Sequence, residues 1–573
     1  MTRASQRPAA EPLSDHPGRG RLTTLLPRRP LPWLLVAGYV AQVAVRLLLS
    51  RNQLAPHIYE DEAALMVTAR WLTGGPGADF TDVTFHPGGY PLLLTPAYLL
   101  AHDLVSVYRI VMVINAIAGA FAFPLAYLLL RRFDVRRATA GFVAWGAALL
   151  PAATLYGETA LADAIMPVLV LCWLLALDRF LRTGHPLAGV LASVAAGYAY
   201  LTHIRGLILI GVHVLILLVY LVRDPRRRAT YLALLAAAAC FVAAWLFNGR
   251  LTATLYPGGP DDLSGILLGR LRSVDGQLWA ISCGAGQIWA MIIGTWGLGG
   301  IGLLATVHRI CARRTRMAER TVAVGLVVLT LAIAYASSAA FPDWHRAGNF
   351  AYGRYLSCLA PVYCLFGIVA LLKARRRVPL FLASGALVGV TAVWVRLYAG
   401  DRLHTYSFQR FDFPEVSMLG KWTHLDLGKT SVTACAIMAF LVLAMRIGPR
   451  VFASGLLAMN IVAMLILTVS VSSPGSPPVA QFPGRPHSGV AVDSRVSTLV
   501  SSAIALRVDW TRTRWFTPGR DRPGPGVCSA AVRWRPGIRP DTTWPAHPAG
   551  WRPRLVTVNT IGWVMWSAPR CAG

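Results

Sequence analysis

Residues 32–72 read PWLLVAGYVAQVAVRLLLSRNQLAPHIYEDEAALMVTARWL, an apolar run followed closely by three successive acidic residues. The apolar part, residues 32–50, has the length of about 17–25 residues that a helix needs to cross a bilayer. Glu60, Asp61 and Glu62 then follow shortly after the point where such a helix would leave the membrane. Similar apolar runs recur as far as residue 471. The stretch therefore predicts a bundle of membrane helices joined by polar loops.

The composition supports this prediction. Of the 573 residues, 55% are hydrophobic and only 14% are charged, whereas soluble domains carry roughly 25% charged residues. Strand edges cannot be satisfied in lipid, so the spans should be helices. The formal net charge is +29, but the arginines sit in short loops between apolar runs, as in the positive-inside pattern. The charge thus indicates membrane orientation, and no nucleic acid partner is expected.

Thirteen transmembrane helices are predicted, and arginine-rich connections follow every second one. This alternation places the N-terminus in the cytoplasm and the C-terminus outside a cell membrane that the chain crosses many times. The helices are expected near residues 32–50, 104–130, 138–155, 160–181, 187–201, 207–222, 229–247, 285–306, 321–339, 355–372, 379–397, 430–446 and 451–471.

Four regions follow from this pattern. No small-residue cleavage pattern follows the first apolar run, so this run is expected to remain as a membrane anchor. The regions are a cytoplasmic basic tail (1–30), a transmembrane domain (31–472), a Ser/Pro/Gly linker (473–488) and a small extracytoplasmic α/β domain (489–573).

The C-terminal region changes in character after the linker. Short β-like runs separated by Pro/Gly turns are predicted as strands, namely 489–493, 503–508, 527–534 and 554–558. Cys528 and Cys571 both fall in this polar region. If the region lies outside the cell, a disulfide between them is expected, because that compartment is oxidising.

The first outer loop carries the acids Glu60, Asp61 and Glu62 on a short helix expected along the membrane surface. A carboxylate at that depth can remove a proton from a hydroxyl or amine. The alternative is a helix N-terminus at which acids simply complement the dipole. The loop continues with His86, Pro-Gly-Gly and Tyr90, which predicts a break before a second interfacial helix.

Charged residues also mark the later outer loops. Glu158 and Asp163 lie at the edge of the fourth helix, where acids are costly unless they are paired or functional; capping of that helix is the alternative. Arginines on the outer side, where the positive-inside rule does not favour them, suggest an anion such as phosphate. The alternative for them is pairing with Asp343 or with lipid head groups. These outer-side residues are Arg205, His345, Arg346, Tyr352 and Arg354.

The short cytoplasmic loops contain neither a P-loop nor a dinucleotide-binding fingerprint, and they are too short for a nucleotide-binding domain. Chemistry on the outer side has no ready supply of nucleotides. An activated donor must therefore arrive in the lipid, and a sugar on a polyprenyl phosphate meets that need.

Taken in order, Asp61-Glu62, Ala69-Arg70, HPGGYPLLL from His86 and YGRYLSCLAP from Tyr352 resemble the motifs of the C-type (GT-C) lipid-carrier-dependent glycosyltransferases. That superfamily includes the bacterial aminoarabinose transferases and the protein O-mannosyltransferases of glycosyltransferase family 39. The resemblance covers about residues 30–470. The chain departs from the pattern at His86, where some relatives have a lysine that would meet the donor phosphate.

The resemblance implies an all-α GT-C membrane fold and an inverting glycosyltransferase. The donor would be a polyprenyl-phosphate-linked sugar in the membrane lipid, and the acceptor an extracytoplasmic glycan, lipid or protein of the cell envelope. It implies no metal-binding residues and no required cofactor, although a divalent cation remains optional. The implied catalytic residues are Asp61, Glu62, Glu158 and Asp163, and the implied substrate-binding residues are Arg70, His86, Tyr90, Arg205, His345, Arg346, Tyr352 and Arg354.

Two alternatives remain at this point. A transporter or flippase for a lipid-linked or polar solute would also explain the helices and the outer arginines, but it predicts charges and broken helices at the middle of the membrane. A polymerase or ligase for a cell-envelope glycan would share most of the same physical requirements.

Overall fold

A computed structural model describes residues 30–56, 59–470, 489–509, 511–518, 520–521, 527–533, 551, 558–559 and 563–568. Helices dominate the part up to residue 470, and a small sheet follows it. Of the four predicted regions, the basic tail falls almost entirely outside the described residues, and so does the linker.

Twenty-two α-helices occur in the described residues. In chain order they are α1 (Pro30–Leu49), α2 (Tyr59–Leu72), α3 (Gly89–Leu100), α4 (Leu104–Ala120), α5 (Ala122–Arg132), α6 (Arg137–Ala147), α7 (Pro151–Thr154), α8 (Met166–Thr183), α9 (Pro186–Thr202), α10 (Arg205–Arg223), α11 (Arg228–Leu255), α12 (Leu263–Leu271), α13 (Val274–Ile293), α14 (Leu298–Cys311), α15 (Met317–Ala340), α16 (Ala360–Lys373), α17 (Val378–Ala399), α18 (Arg402–Thr405), α19 (Pro414–Leu419), α20 (Leu427–Ile447), α21 (Pro449–Ser470) and α22 (Thr498–Arg507).

Eight helices within the described part are long and apolar enough to cross a membrane, or up to ten if two bent pairs each form one span. The prediction of a polytopic, multi-pass membrane protein is confirmed. The eight are α1, α4 with α5, α10, α11, α15, α17, α20 and α21, and the bent pairs are α6 with α7 and α13 with α14. The remaining predicted spans coincide with the shorter or more polar helices α8, α9 and α16.

The predicted single span at 285–306 is wrong in its shape. The structure breaks it into α13 and α14, which meet at an angle of 114°. The break falls at the sequence Gly294-Thr-Trp-Gly297, where Trp296 and Gly297 both have positive φ. Glycine adopts that conformation without steric cost, so the chain can turn sharply here.

The loop predicted as the first outer loop contains two helices, α2 and α3, as expected. Helix α2 packs against α3 on one side and against α22 of the C-terminal region on another. From Glu62 to Arg70 every residue of α2 is buried. This helix, which carries the predicted acids, is therefore held within the protein and is not a loose surface element.

The C-terminal region is a mixed sheet with α22 packed beside it, which confirms the predicted small α/β domain. The strands are β1 (Gly489–Asp493), β2 (Thr513–Phe516), β3 (Val527–Arg533), β4 (Val558–Asn559) and β5 (Trp563–Ser567). Their order is β2-β1-β3-β5-β4, with β1 parallel to β2 and β3, and with β5 antiparallel to β3 and β4.

One strand prediction in this region is wrong. Residues 503–508 lie mostly in α22, because their apolar side chains are buried on both sides of a helix and do not line one face of a sheet. Short apolar runs of this kind do not distinguish a buried helix from a strand. Most of the predicted strand 554–558 falls outside the described residues. Cys528 is disulfide-bonded, and Cys571, its predicted partner, also lies outside them.

Candidate active site

Arg354 connects two loops that are distant in the sequence and that are both predicted to lie on the outer side. Its Nη1 donates to Asp61 Oδ2 at 2.6 Å, and its Nε donates to Asp163 Oδ2 at 2.7 Å. Asp61 lies in the first turn of α2, and Asp163 lies in a 3-10 turn before α8. Arg354 itself lies in the 3-10 turn Gly353–Leu356 that precedes α16. One guanidinium therefore holds together the acids of the first two predicted outer loops.

Arg205 is the second cation of this cluster, at the start of α10. Its Nη2 donates to Asp163 Oδ1, and its Nη1 donates to the backbone carbonyls of Arg354 and Tyr355 at 3.2 and 2.9 Å. A cation at a helix N-terminus is disfavoured by the helix dipole, so the carboxylate of Asp163 offsets an otherwise costly position. A Cβ on Gly206 would lie 2.1 Å from the carbonyl of Ala199, so glycine allows α10 to begin close against α9.

Two histidines complete the cluster. His86 Nε2 lies 3.6 Å from Asp61 Oδ1 and, although buried, has no hydrogen-bond partner in the described part of the chain. His203 lies between α9 and α10, and its Nδ1 accepts from both the backbone N–H and the Nε–H of Arg205, each at 3.2 Å. We call these residues, Asp61, His86, Asp163, His203, Arg205 and Arg354, the outer-loop cluster.

The charges in the cluster keep Asp61 ionised. Burial alone would raise the pKa of Asp61, but the positive charge of Arg354 holds it below its ordinary value. Burial lowers the pKa of His86, and the positive charge of Arg354 acts in the same direction while Asp61 opposes it. At neutral pH the cluster therefore holds two arginine cations, two carboxylates and two largely neutral imidazoles, with a net charge near zero.

Four of the predicted site residues point elsewhere. Glu62 accepts from the Tyr108 hydroxyl at 2.6 Å and the Ala160 N–H at 2.8 Å. The remaining three also bond to residues outside the cluster. Glu158 accepts from Thr468 of α21, Tyr90 donates to Asn115 of α4, and Arg70 donates to Ala505 and Leu506 of α22.

The contacts of these four residues favour structural roles, because their polar atoms bind other parts of the fold. Arg70 illustrates the reason. The carbonyls at the C-terminal end of a helix lack intrahelical partners, and its guanidinium satisfies two of them on α22. The predicted contact of Arg70 with a phosphate is therefore not supported by its position.

The other predicted site residues of the loop before α16 also differ in position: one lies beside the cluster and two lie outside it. Tyr352 lies next to the cluster, with its hydroxyl 3.5 Å from Arg354 Nη1. Arg346 instead donates to Asp412 and Gln409 of the following loop, and its guanidinium lies over the ring of Trp344. His345 is exposed and has a positive φ of 54°. Arg346 and His345 thus lie outside the outer-loop cluster.

His203 was missed at the sequence level. It stands in YLTHIRGL, two residues before Arg205, and the tight turn between α9 and α10 makes its ring an acceptor for that arginine. A histidine two residues before an arginine at a predicted helix junction was the available signal. Among the residues that the structure describes, no three His, Cys, Asp or Glu side chains are grouped so that they could hold a metal ion.

No protein-family model matches the chain, and no curated protein matches its sequence. Solved structures do match. ArnT from Cupriavidus metallidurans bound to undecaprenyl phosphate aligns over 95% of this chain and 100% of its own, with a TM-score of 0.53 and 15% identity. The apo structure of the same protein gives a TM-score of 0.53 and 16% identity over 95% and 99% of the two chains.

Arabinosyltransferase EmbB from Mycobacterium smegmatis aligns with a TM-score of 0.45 and 15% identity, over 95% of this chain and 46% of its own. The two ArnT alignments extend over almost the whole of both chains. The GT-C fold predicted from the resemblance is therefore confirmed.

Proposed function

We propose that this chain, which has the fold of ArnT, is an inverting glycosyltransferase that moves a sugar from a polyprenyl-phosphate carrier to an acceptor outside the cytoplasm. The observation that carries the proposal is the contact of Arg354 with both Asp61 and Asp163. It places the partly exposed carboxylate of Asp61 beside a guanidinium that can also bind a phosphate. That ArnT has been solved with undecaprenyl phosphate supports a donor of the same chemical class.

In the proposed reaction the acceptor hydroxyl attacks the anomeric carbon of the sugar. Asp61 takes the hydroxyl proton as the new carbon–oxygen bond forms, and a positioned general base of this kind contributes about 10²–10⁴-fold to the rate. The bond from the anomeric carbon to the phosphate oxygen breaks at the same time. The polyprenyl phosphate leaves with the bonding electrons, and Arg354 stabilises the negative charge that develops on it.

The same contact couples donor binding to the strength of the base. Before the donor binds, Arg354 lowers the pKa of Asp61, which makes its carboxylate a weak base. When a phosphate competes for the guanidinium, that stabilisation is shared and the pKa of Asp61 rises. The carboxylate thus becomes a better proton acceptor only when a donor is present.

The experiment uses membranes that contain the full chain, supplied with a panel of radiolabelled polyprenyl-phosphate sugars. We expect label to leave the carrier, and we expect Asp61→Asn to slow that release at least about 100-fold, because an amide cannot accept the proton. Asp79→Asn is the matched control. It lies in the same loop, its only hydrogen-bond partner among the described residues is Thr81, and the variant should retain full activity.

Two results would contradict the proposal. If label crosses the membrane but never leaves its carrier, the chain is a transporter or flippase. If Asp61→Asn transfers sugar as fast as the unchanged protein, Asp61 is not the base.

A further inference from the structure

Most N–H groups of the two arginines in the outer-loop cluster already donate hydrogen bonds within the protein. Arg205 gives its Nε to His203, its Nη1 to two backbone carbonyls and its Nη2 to Asp163. Arg354 gives its Nε to Asp163 and its Nη1 to Asp61. Of the guanidinium nitrogens of Arg205 and Arg354, only Arg354 Nη2 has no hydrogen-bond acceptor in the described part of the chain. An anion in this site therefore needs donors from other residues.

His203 has a fixed protonation state that makes it such a donor. Its Nδ1 accepts two N–H groups of Arg205, one of them from the cationic guanidinium. Arginine is a donor only, so Nδ1 carries no proton and the neutral ring has its proton on Nε2. No described residue accepts a hydrogen bond from this Nε2, and His203 as a residue is partly exposed.

The surroundings of this N–H favour an anion. His203 interacts electrostatically with Arg205, Asp163, Arg354 and His86, so it lies within the outer-loop cluster. Asp163 is already engaged by both arginines and needs no further donor. His86 Nε2 is a buried polar atom without a hydrogen-bond partner in the described chain, and it lies 3.6 Å from Asp61 Oδ1 of the same cluster.

We propose that His203 is a substrate-binding residue whose neutral Nε2–H donates to a phosphate oxygen of the lipid carrier, beside Arg354 Nη2 and His86. This inference rests on the proposed function, because it assumes a polyprenyl-phosphate donor.

The test measures binding of undecaprenyl phosphate to the purified full-length protein in lipid nanodiscs, with undecaprenol as the lipid that lacks a phosphate. The two key variants differ in the ring atom that they replace. His203→Asn keeps an acceptor near the position of Nδ1 and so keeps Arg205 anchored, but it has no donor at Nε2. His203→Gln keeps an amide N–H near Nε2.

We expect His203→Asn to weaken undecaprenyl phosphate binding at least about tenfold, the effect of losing a hydrogen bond to a charged group. His203→Gln should weaken it less, and neither variant should change binding of undecaprenol. The matched control is His213→Asn. That histidine is buried between α8, α9 and α10, where it bonds to Trp173 and Ser193, and its loss should leave the affinity for the phosphate unchanged.

The pH dependence separates a neutral donor from a cation. The ratio of the affinities of the unchanged protein and His203→Asn should stay constant from pH 6 to pH 8. A ratio that grows toward low pH would overturn the assignment of a neutral donor.

Equal binding by His203→Asn and the unchanged protein would overturn the inference while leaving the proposed function in place. If the unchanged protein does not distinguish undecaprenyl phosphate from undecaprenol, the proposed function fails and this inference fails with it.

Discussion

Asp163 is the residue on which the outer-loop cluster converges. Both Arg205 and Arg354 donate to its carboxylate, and its side chain has no exposed surface. Breaking one partner of a buried ion pair leaves an uncompensated charge in a poorly solvated place. Asp163 should therefore matter for folding as well as for the shape of the site.

The first prediction follows from this burial. Asp163→Asn should destabilise the protein by about 3–5 kcal/mol, because two arginines lose their shared counter-charge. Thermal unfolding in detergent measures the change. Asp426→Asn is the matched control, since Asp426 pairs with Lys421 at a partly exposed position and such pairs contribute only about 0–1 kcal/mol. Equal shifts for the two variants would contradict the prediction.

At the scale of single residues, the sequence shows which charged residues stand in unusual positions. It does not predict equally well which other residues they contact. Asp61, Asp163, Arg205 and Arg354 stand out as charges at the outer edge of apolar runs, and the structure brings all four together. Arg70 is equally conspicuous in the sequence, yet it faces α22. The direction of a helical side chain depends on tertiary packing, which a pattern of charges does not contain.

At the scale of elements, α2 links the outer-loop cluster to the C-terminal domain. Glu60 accepts from Thr498 at the start of α22, and Arg70 donates to Ala505 and Leu506 at its end. Contacts with α22 thus hold the helix that carries Asp61 near both of its ends. Docking of the C-terminal domain should depend mainly on the buried end of this contact.

Arg70→Met should loosen α22, because two carbonyl oxygens at its C-terminal end lose their donor, at about 1–3 kcal/mol for the groups left unsatisfied. Hydrogen–deuterium exchange of residues 498–507 should become faster. Arg512→Met serves as the control. Arg512 makes an exposed contact between the C-terminal region and the carbonyl of Thr254 in α11, and its loss should change exchange of α22 much less. Unchanged exchange in Arg70→Met would show that α22 is held by other contacts.

Glu415 in α19 gives a prediction on pH. Burial raises the pKa of Glu415 from 4.5 to about 7, so the folded protein prefers the protonated acid. Ionisation therefore lowers stability as the pH rises from about 4.5 to above 7. Glu415→Gln removes this cost and should stabilise the protein at pH 8 by roughly 3 kcal/mol, from the 1.36 kcal/mol per unit of pKa shift, with little change at pH 4.5.

Thermal unfolding of the unchanged protein and Glu415→Gln at several pH values measures this difference. A stabilisation that is the same at pH 4.5 and pH 8 would contradict the prediction, because it would not arise from ionisation of the carboxyl.

The predicted elements fail where local sequence supports two structures. Residues 503–508 have the apolar, β-branched character of a strand, but they form the end of α22 because α2 and the sheet cover opposite sides of it. The predicted span 285–306 is apolar throughout, and its 114° break depends on a left-handed turn at Trp296 and Gly297. Hydropathy carries no signal for such a turn, although the glycines permit it.

At the scale of the whole molecule, the orientation in the membrane remains a prediction. The arginine-rich connections should face the cytoplasm and the outer-loop cluster should face away from it. Two exposed positions report on the two sides: Trp344 in the outer loop before α16, and Cys311, a free cysteine at the end of α14.

In intact cells, a maleimide that cannot cross membranes should label Trp344→Cys and leave Cys311 unlabelled until the cells are permeabilised. The unchanged protein is the control for labelling at the other cysteines. Labelling of Cys311 in intact cells would reverse the proposed topology, and with it the placement of the site outside the cytoplasm.

The fold of the whole chain is the part that the sequence predicts best, although the identity to ArnT is only 15%. Apolar runs of membrane-spanning length and arginine-rich connections depend on the bilayer rather than on particular contacts. The order of a few motifs then narrows the choice of fold. Lateral packing of the helices, which decides which loops meet, depends on many weak contacts and has no comparable signature.

The three consecutive acids of α2 each bind a different part of the protein: Glu60 the C-terminal domain, Asp61 the arginine of a late loop, and Glu62 the core. Successive residues of an α-helix are rotated by about 100°, so all three contacts fix the rotation of the helix about its own axis. One residue inserted at its start would rotate each of the three acids by about 100°, away from its own partner and toward the partner of a different acid. During evolution this segment can therefore exchange amino acids, but it cannot easily gain or lose one.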